Sequence, residues 1–160
     1  MKKFCDSIYL KYFAGSKEDI FKNIYLKNKW RDKDSFSGTG SNLNQTKNIR
    51  IGLSDFIKDK NIESILDIPC GDFYWMKELN LDNVKYIGAD IVPDLIYKNR
   101  NTHNKKNVSF EILDITKDKL PVTDIIFCRD CLVHLSFEDI FKSLKNIKKG
   151  SFKFFITTNF

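Results

Sequence analysis

The chain has 160 residues and a formal charge of +6, with 27 Lys and Arg against 21 Asp and Glu, enough for one domain with a sizeable core. No apolar run approaches the roughly 18 residues that cross a bilayer, and Asp6 interrupts any secretory leader after Lys2 and Lys3, so a cytoplasmic protein with no membrane partner is expected. The positive charge is nearly all lysine, with arginine only at Arg31, Arg50, Arg100 and Arg129, and the lysines alternate with acids as in Lys58-Asp59-Lys60. That is a mixed, solvated surface of the kind A/T-rich coding sequences produce, which disfavours nucleic acid as a partner.

Phe4, Ile8 and Tyr12 suggest a short first helix, and Ser16-Lys17-Glu18-Asp19 has the form of a capping box ahead of Ile20, Phe21, Ile24 and Tyr25 on one helical face. Gly38 and Gly40, set among Ser and Thr, make 31–42 a loop. Residues 43–59 read as a helix with Ile49, Leu53, Phe56 and Ile57 facing inward. Strands and helices then alternate. Strands are predicted over 64–68, 84–89, 108–113, 124–128 and 152–158, helices over 72–80, 93–101 and 137–147, and a short turn over 116–120. Pro93 suits a first helical turn and Ser136-Phe137-Glu138-Asp139 repeats the capping form.

Such alternation predicts an α/β fold, a three-layer Rossmann-like, mostly parallel sheet of about five strands with right-handed crossovers. Residues 1–60 form an N-terminal helical extension with a loop, within the same domain as the core over 61–160. Lys153 is the only charge among the last ten residues. The fifth strand is therefore a sticky edge on which a second copy could pair as a homodimer.

The chemistry gathers at strand ends. The strand ending near Asp67 runs into Pro69-Cys70-Gly71-Asp72, and the next strand ends on Asp90, about twenty residues later, where an acid can accept both hydroxyls of a ribose. A pyrophosphate site wants three glycines and no anion at the helix start. Here Gly71 stands alone and Asp72 follows, which repels a diphosphate and tolerates a cationic sulfonium or ammonium group. Strand-end aspartates also serve as simple turn caps, but Asp67, Asp90 and Asp114 recur at successive tips.

Cys5, Cys70, Cys128 and Cys131 are too scattered for a disulfide framework. The Cys128-x-x-Cys131 spacing lacks the second pair or histidines that a metal needs, since only His103 and His134 exist, so no metal is expected and the cysteines are read as lining a pocket. His134, after the fourth strand, is either a general base or a packed loop histidine. Asp130 could orient it, bind a hydroxyl or pair with Arg129, and Arg129 could clamp an anion or form that pair.

The ordered set of 65–76, 86–90, 110–116, 123–136 and 151–160 resembles the class I S-adenosylmethionine-dependent methyltransferases, and in DIPCGDFYWM, FCRDCLVHLS and the upstream SGTGSNLNQT it is similar to a subfamily of small bacterial and viral members. The resemblance implies S-adenosyl-L-methionine as cofactor. It assigns the cofactor to Asp67, Pro69, Cys70, Gly71, Asp72, Trp75, Asp90, Ile91, Asp114, Ile115, Cys128 and Arg129, with Asp114 and the Ile115 N–H meeting the adenine. His134 and Asp130 become catalytic candidates, and Ser37, Gly38, Thr39, Gly40, Ser41 and Asn42 a lid or substrate loop. The acceptor it implies is a small-molecule hydroxyl, on a sugar or related metabolite; a cofactor binder without activity of its own and a nucleic-acid methyltransferase are the alternatives. The family's sheet continues past the fifth strand, so a missing distal substrate wall is also expected.

Overall fold

The structure is a computed structural model that describes residues 15–158. The helix expected around Phe4, Ile8 and Tyr12, and Cys5 with it, lie outside the described residues. Five parallel strands form one sheet: β1 (Ser64–Asp67), β2 (Lys85–Asp90), β3 (Val108–Ile112), β4 (Ile125–Cys128) and β5 (Phe154–Thr157), in the order β3-β2-β1-β4-β5. Around it lie α1 (Lys17–Leu26), α2 (Lys47–Asp59), α3 (Pro93–His103) and α4 (Phe137–Ile147). The α/β Rossmann-like architecture read from the alternation is the one found.

Successive strand residues face opposite layers. Ile65, Tyr86, Ile125 and Phe127 pack with Leu53 and Ile57 of α2 and Ile96 of α3. Leu66, Ile87, Ala89, Ile126 and Cys128 pack on the other face with Ile147 of α4. Both faces are covered, which is why the strands read as continuous apolar runs. Asp124 ties the strand starts together: it accepts the Glu63 and Ser64 N–H groups at 2.7 and 3.1 Å and pairs with Lys153 at 2.8 Å. β5 pairs only with β4 among the described residues, with Phe154, Phe155 and Ile156 half-buried, so it is an edge strand.

The helix starts follow their caps. Ser16 Oγ accepts the Asp19 N–H and the Asp19 carboxylate accepts the Ser16 N–H, a reciprocal box. Pro93 opens α3 and Ser136 Oγ accepts the Asp139 N–H at the start of α4. Two expectations need correction. α2 begins at Lys47, because the Asn42 side chain and carbonyl take the Gln45 and Thr46 N–H groups in a turn over 42–46.

The predicted helix over 72–80 is absent. Gly71 and Phe73 hold φ of +54° and +58°, and only a 3-10 turn, Met76–Glu78, follows. A left-handed phenylalanine costs about 1–2 kcal/mol. Its ring is buried against Tyr86, Phe110 and His103, with centroids 5.0, 5.2 and 5.3 Å away, and burying such a side chain contributes about 1.5–3 kcal/mol. Tertiary packing outweighs the local preference.

Candidate functional site

Strand order reverses between β1 and β4, and the crevice beyond the strands' carboxyl ends at such a switch point is where α/β sheets bind ligands. A cavity of about 140 Å³ lies there. From the strand tips, Asp67, Pro69, Cys70, Gly71, Asp72, Trp75, Asp90, Ile91, Asp114, Ile115, Arg129, Asp130 and His134 all line it. Cys128 does not. It is fully buried in the sheet core on the α4 side, because β4 alternation turns Phe127 and not Cys128 toward the α2 layer. Cys70 and Cys131 do reach the cavity. Among the described residues no group of three or more His, Cys, Asp and Glu side chains is arranged to hold a metal.

The Asp90 carboxylate accepts the Val92 N–H at 3.0 Å and the Gly71 N–H at 3.3 Å, bridging the ends of β2 and β1. Those bonds leave lone pairs on both oxygens. Asp67, one strand over, takes the Tyr86 hydroxyl at 2.6 Å. The turn is held from α3, where the buried Asn99 donates to the Gly71 carbonyl at 2.8 Å, a contact that no sequence motif signalled. Burial pushes Asp67 up to about 7, with the Tyr86 hydrogen bond opposing, and Asp90 up to about 6, with its backbone N–H bonds opposing.

Both values lie above those of an unfolded aspartate, so these groups stabilise the fold most fully below about pH 4 and lose that contribution as pH rises through 6 and 7. The ligand-free protein is expected to lose on the order of 5 °C in Tm between pH 5 and 8. Asp67→Asn should flatten the curve, as scanning calorimetry would show; an equal slope in the variant would contradict the assignment.

The loop over 35–42 is latched at two points. The Asp72 carboxylate accepts the Phe36 N–H at 2.8 Å and the Ser35 and Ser37 hydroxyls at 3.0 and 3.2 Å, while Ser37 Oγ accepts the Asp72 N–H at 2.9 Å. The acid expected at a helix start therefore holds the loop instead. The second latch is Arg129, whose guanidinium donates to the Gly40 carbonyl at 2.8 Å, pairs with Asp130 at 2.8 Å and lies over the Trp75 ring. Of the expected lid residues, Ser37 and Ser41 reach the cavity; Gly38, Thr39, Gly40 and Asn42 support the loop without lining it.

A Cβ on Gly71 would overlap Ser37 Oγ, and the positive φ adds strain. Gly71→Val should therefore spring the loop from Asp72. Partial proteolysis should cut near 35–42 at least about tenfold faster in the variant if the loop opens, since cleavage follows the open population. An unchanged rate in a folded variant would show that the turn tolerates the side chain.

His134 ends a 3-10 turn after β4, half-buried, its ring 5.5 Å from that of Trp30. Burial holds the imidazole below its ordinary value, with Asp130 opposing, so it is neutral near pH 7. Asp130 and Arg129 are spent largely on each other.

The N-terminal extension closes the cavity from above, which sequence reasoning missed. Lys17, Phe21 and Tyr25 of α1, with Trp30 and Phe36 beyond it, line the cavity. For Phe21 and Tyr25 the signal was the apolar helical face, which reads equally as core packing; Trp30 and Phe36 gave none. Lys17 Nζ reaches Thr116 Oγ1 at 2.6 Å, Asp114 at 3.3 Å and Asp139 of α4 at 3.5 Å. Burial raises Asp114, but the Thr116 hydroxyl and N–H and Lys17 outweigh it and hold the acid below its usual range. Asn146 of α4 fixes the same loop by donating to the Ile115 and Asp118 carbonyls.

A family model described as a methyltransferase domain matches residues 65–150. No curated protein matches the chain. Solved structures of similar fold include an S-adenosylmethionine-dependent methyltransferase from Clostridium acetobutylicum (22% identity, TM-score 0.52, 65% of this chain and 48% of that one). Magnesium protoporphyrin IX methyltransferase from Synechocystis, with bound SAH, aligns at 12% identity and a TM-score of 0.59 over 84% of this chain and 66% of its own. The N-methyltransferase NodS from Bradyrhizobium japonicum, in complex with S-adenosyl-L-homocysteine, gives 17% and 0.61 over 81% and 68%. At these identities the likeness is one of fold, and the chain spans about half to two thirds of their lengths.

Proposed function

The chain belongs to the methyltransferase domain family, and from that premise we propose that it is a methyltransferase using S-adenosyl-L-methionine, with a hydroxyl of a small polar molecule, a sugar or related metabolite, as acceptor. One observation carries this reading: one cavity joins the Asp90 carboxylate at the β2 tip to His134 and Asp130 beyond β4. Asp90 keeps acceptor capacity for a cis-diol. Asp90, mostly ionised near pH 7, makes its end of the cavity favourable to a cation, and a bound cation would draw Asp67 toward its ionised form as well. The donor set thus fits the cofactor.

When bound, S-adenosyl-L-methionine supplies an electrophilic methyl group on a positively charged sulfur. The residues do the rest. Asp90 would hold the ribose, and Ile115, whose carbonyl accepts a hydrogen bond from Asn146, would border the adenine. The Asp114 carboxylate, engaged by Lys17 and Thr116, keeps fewer free lone pairs for an adenine amine than the family motif suggests. Asp72 and Arg129 hold the loop over 35–42 against the cavity, which limits solvent while acceptor and methyl are aligned. A neutral imidazole nitrogen of His134 accepts the acceptor's hydroxyl proton, and Asp130 stabilises the resulting cation.

Calorimetry with S-adenosyl-L-homocysteine and with NAD tests the cofactor, and transfer of a labelled methyl to uncharged sugars against RNA and DNA tests the acceptor. The reading expects homocysteine-nucleoside binding without NAD binding, and transfer to a sugar that is insensitive to salt. Steeply salt-dependent transfer to nucleic acid would replace the acceptor assignment.

A further inference from the structure

Trp30 lies outside every motif of the sequence, yet it sits between the two halves of the cavity roof. It stands in the loop after α1, flanked by Asn28 and Arg31, whose φ of +42° and +55° turn the chain back over the strand tips. On one side its ring lies 5.5 Å from that of His134 with only 30° between the planes. On the other side it touches the loop over 35–42: a Cβ added to Gly38, at φ +95°, would come within 3.0 Å of Trp30 Cβ and 3.3 Å of Cγ. The indole is thus a wedge, packed so closely on position 38 that a side chain there would push against it.

The geometry points to Trp30 as a positioning residue, which fixes the ring of His134 over the β4 tip and seats the loop over 35–42 against it. This rests on the proposed role of His134 as proton acceptor. A neighbour stacked on an imidazole narrows the range of its side-chain torsions and shields one face from water. Among the described residues the charge of the Asp130 carboxylate, itself paired with Arg129, bears on the ring. Trp30 adds none, and Lys29 and Arg31 beside it in the chain stay in place in every variant below.

The chain contains only two histidines, so the His134 ring can be followed by NMR during a pH titration, with His103 as internal control. In Trp30→Ala the ring should regain water and its pKa should rise by about half a unit or more, while Trp30→Phe should retain most of the parent value. Gly38→Ala should move the titration in the same direction, because the added Cβ presses on Trp30 and strains the loop at φ +95°; it decides the matter where Trp30→Ala does not fold. The pH limb of kcat should move with the NMR value in each variant. A His134 titration unmoved in Trp30→Ala or, where that variant does not fold, in Gly38→Ala would overturn the proposal. A titration that moves while kcat shows no matching limb would uphold the placement by Trp30 and overturn the proton-acceptor role of His134 instead, so the two failures are distinct.

Discussion

Replacing His134 with alanine is expected to slow methyl transfer on the order of 10²-fold, while the affinity for S-adenosyl-L-homocysteine changes less than about threefold. A hydroxyl is a poor nucleophile until its proton is accepted, and His134 is the half-buried neutral imidazole at the cavity. Burial lowers its pKa, so the unprotonated, active form should dominate down to slightly acidic pH and the rate should fall as pH drops through the histidine range. The alanine variant should lose that acidic limb. Rapid-quench rates over a pH series, with calorimetric affinities on the same samples, separate chemistry from binding. Equal and small losses in both would reduce His134 to a packing residue.

Asp90→Ala should weaken S-adenosyl-L-homocysteine binding tenfold or more. Two ribose hydroxyls deprived of their acceptor in a partly enclosed cavity cost on the order of 1–3 kcal/mol. The substitution also frees the Gly71 and Val92 N–H groups, which bind the carboxylate at 3.3 and 3.0 Å. Asp90→Asn separates the two effects, since its one carbonyl oxygen can serve only part of both sets. Affinity should fall in the order Asp, Asn, Ala. An unchanged dissociation constant in a folded alanine variant would remove Asp90 from the site.

Much of the frame was legible because it rests on period and punctuation. Apolar runs of four to six residues separated by capped amphipathic stretches define the parallel sheet. Ser16 and Ser136 mark helix starts by local hydrogen bonds, and Pro93 by its fixed φ. The positions of Asp67, Asp90 and Asp114 followed from strand ends. What was not legible depends on contacts distant in sequence. Phe73 adopts a left-handed backbone for the sake of Tyr86 and Phe110, so no local rule foretold the lost helix. Asp72 read as a helix-start anion and proved to be the latch of a loop 35 residues earlier. Trp30 and Phe36 carry no motif, and Lys17 and Tyr25 read only as part of a helix start and its apolar face; the folding of the N-terminal extension over the strand tips brings them to the cavity.

The central claim is that one cavity holds the cofactor between Asp90 and the His134 side of the roof. A crystal structure of the protein grown with S-adenosyl-L-homocysteine tests it most directly. The account predicts ribose hydroxyls within hydrogen-bond reach of the Asp90 carboxylate, the adenine beside Ile115, and the sulfur facing the space bounded by Arg129, Asp130 and His134. A ligand bound elsewhere, or one whose ribose makes no contact with Asp90, would contradict it.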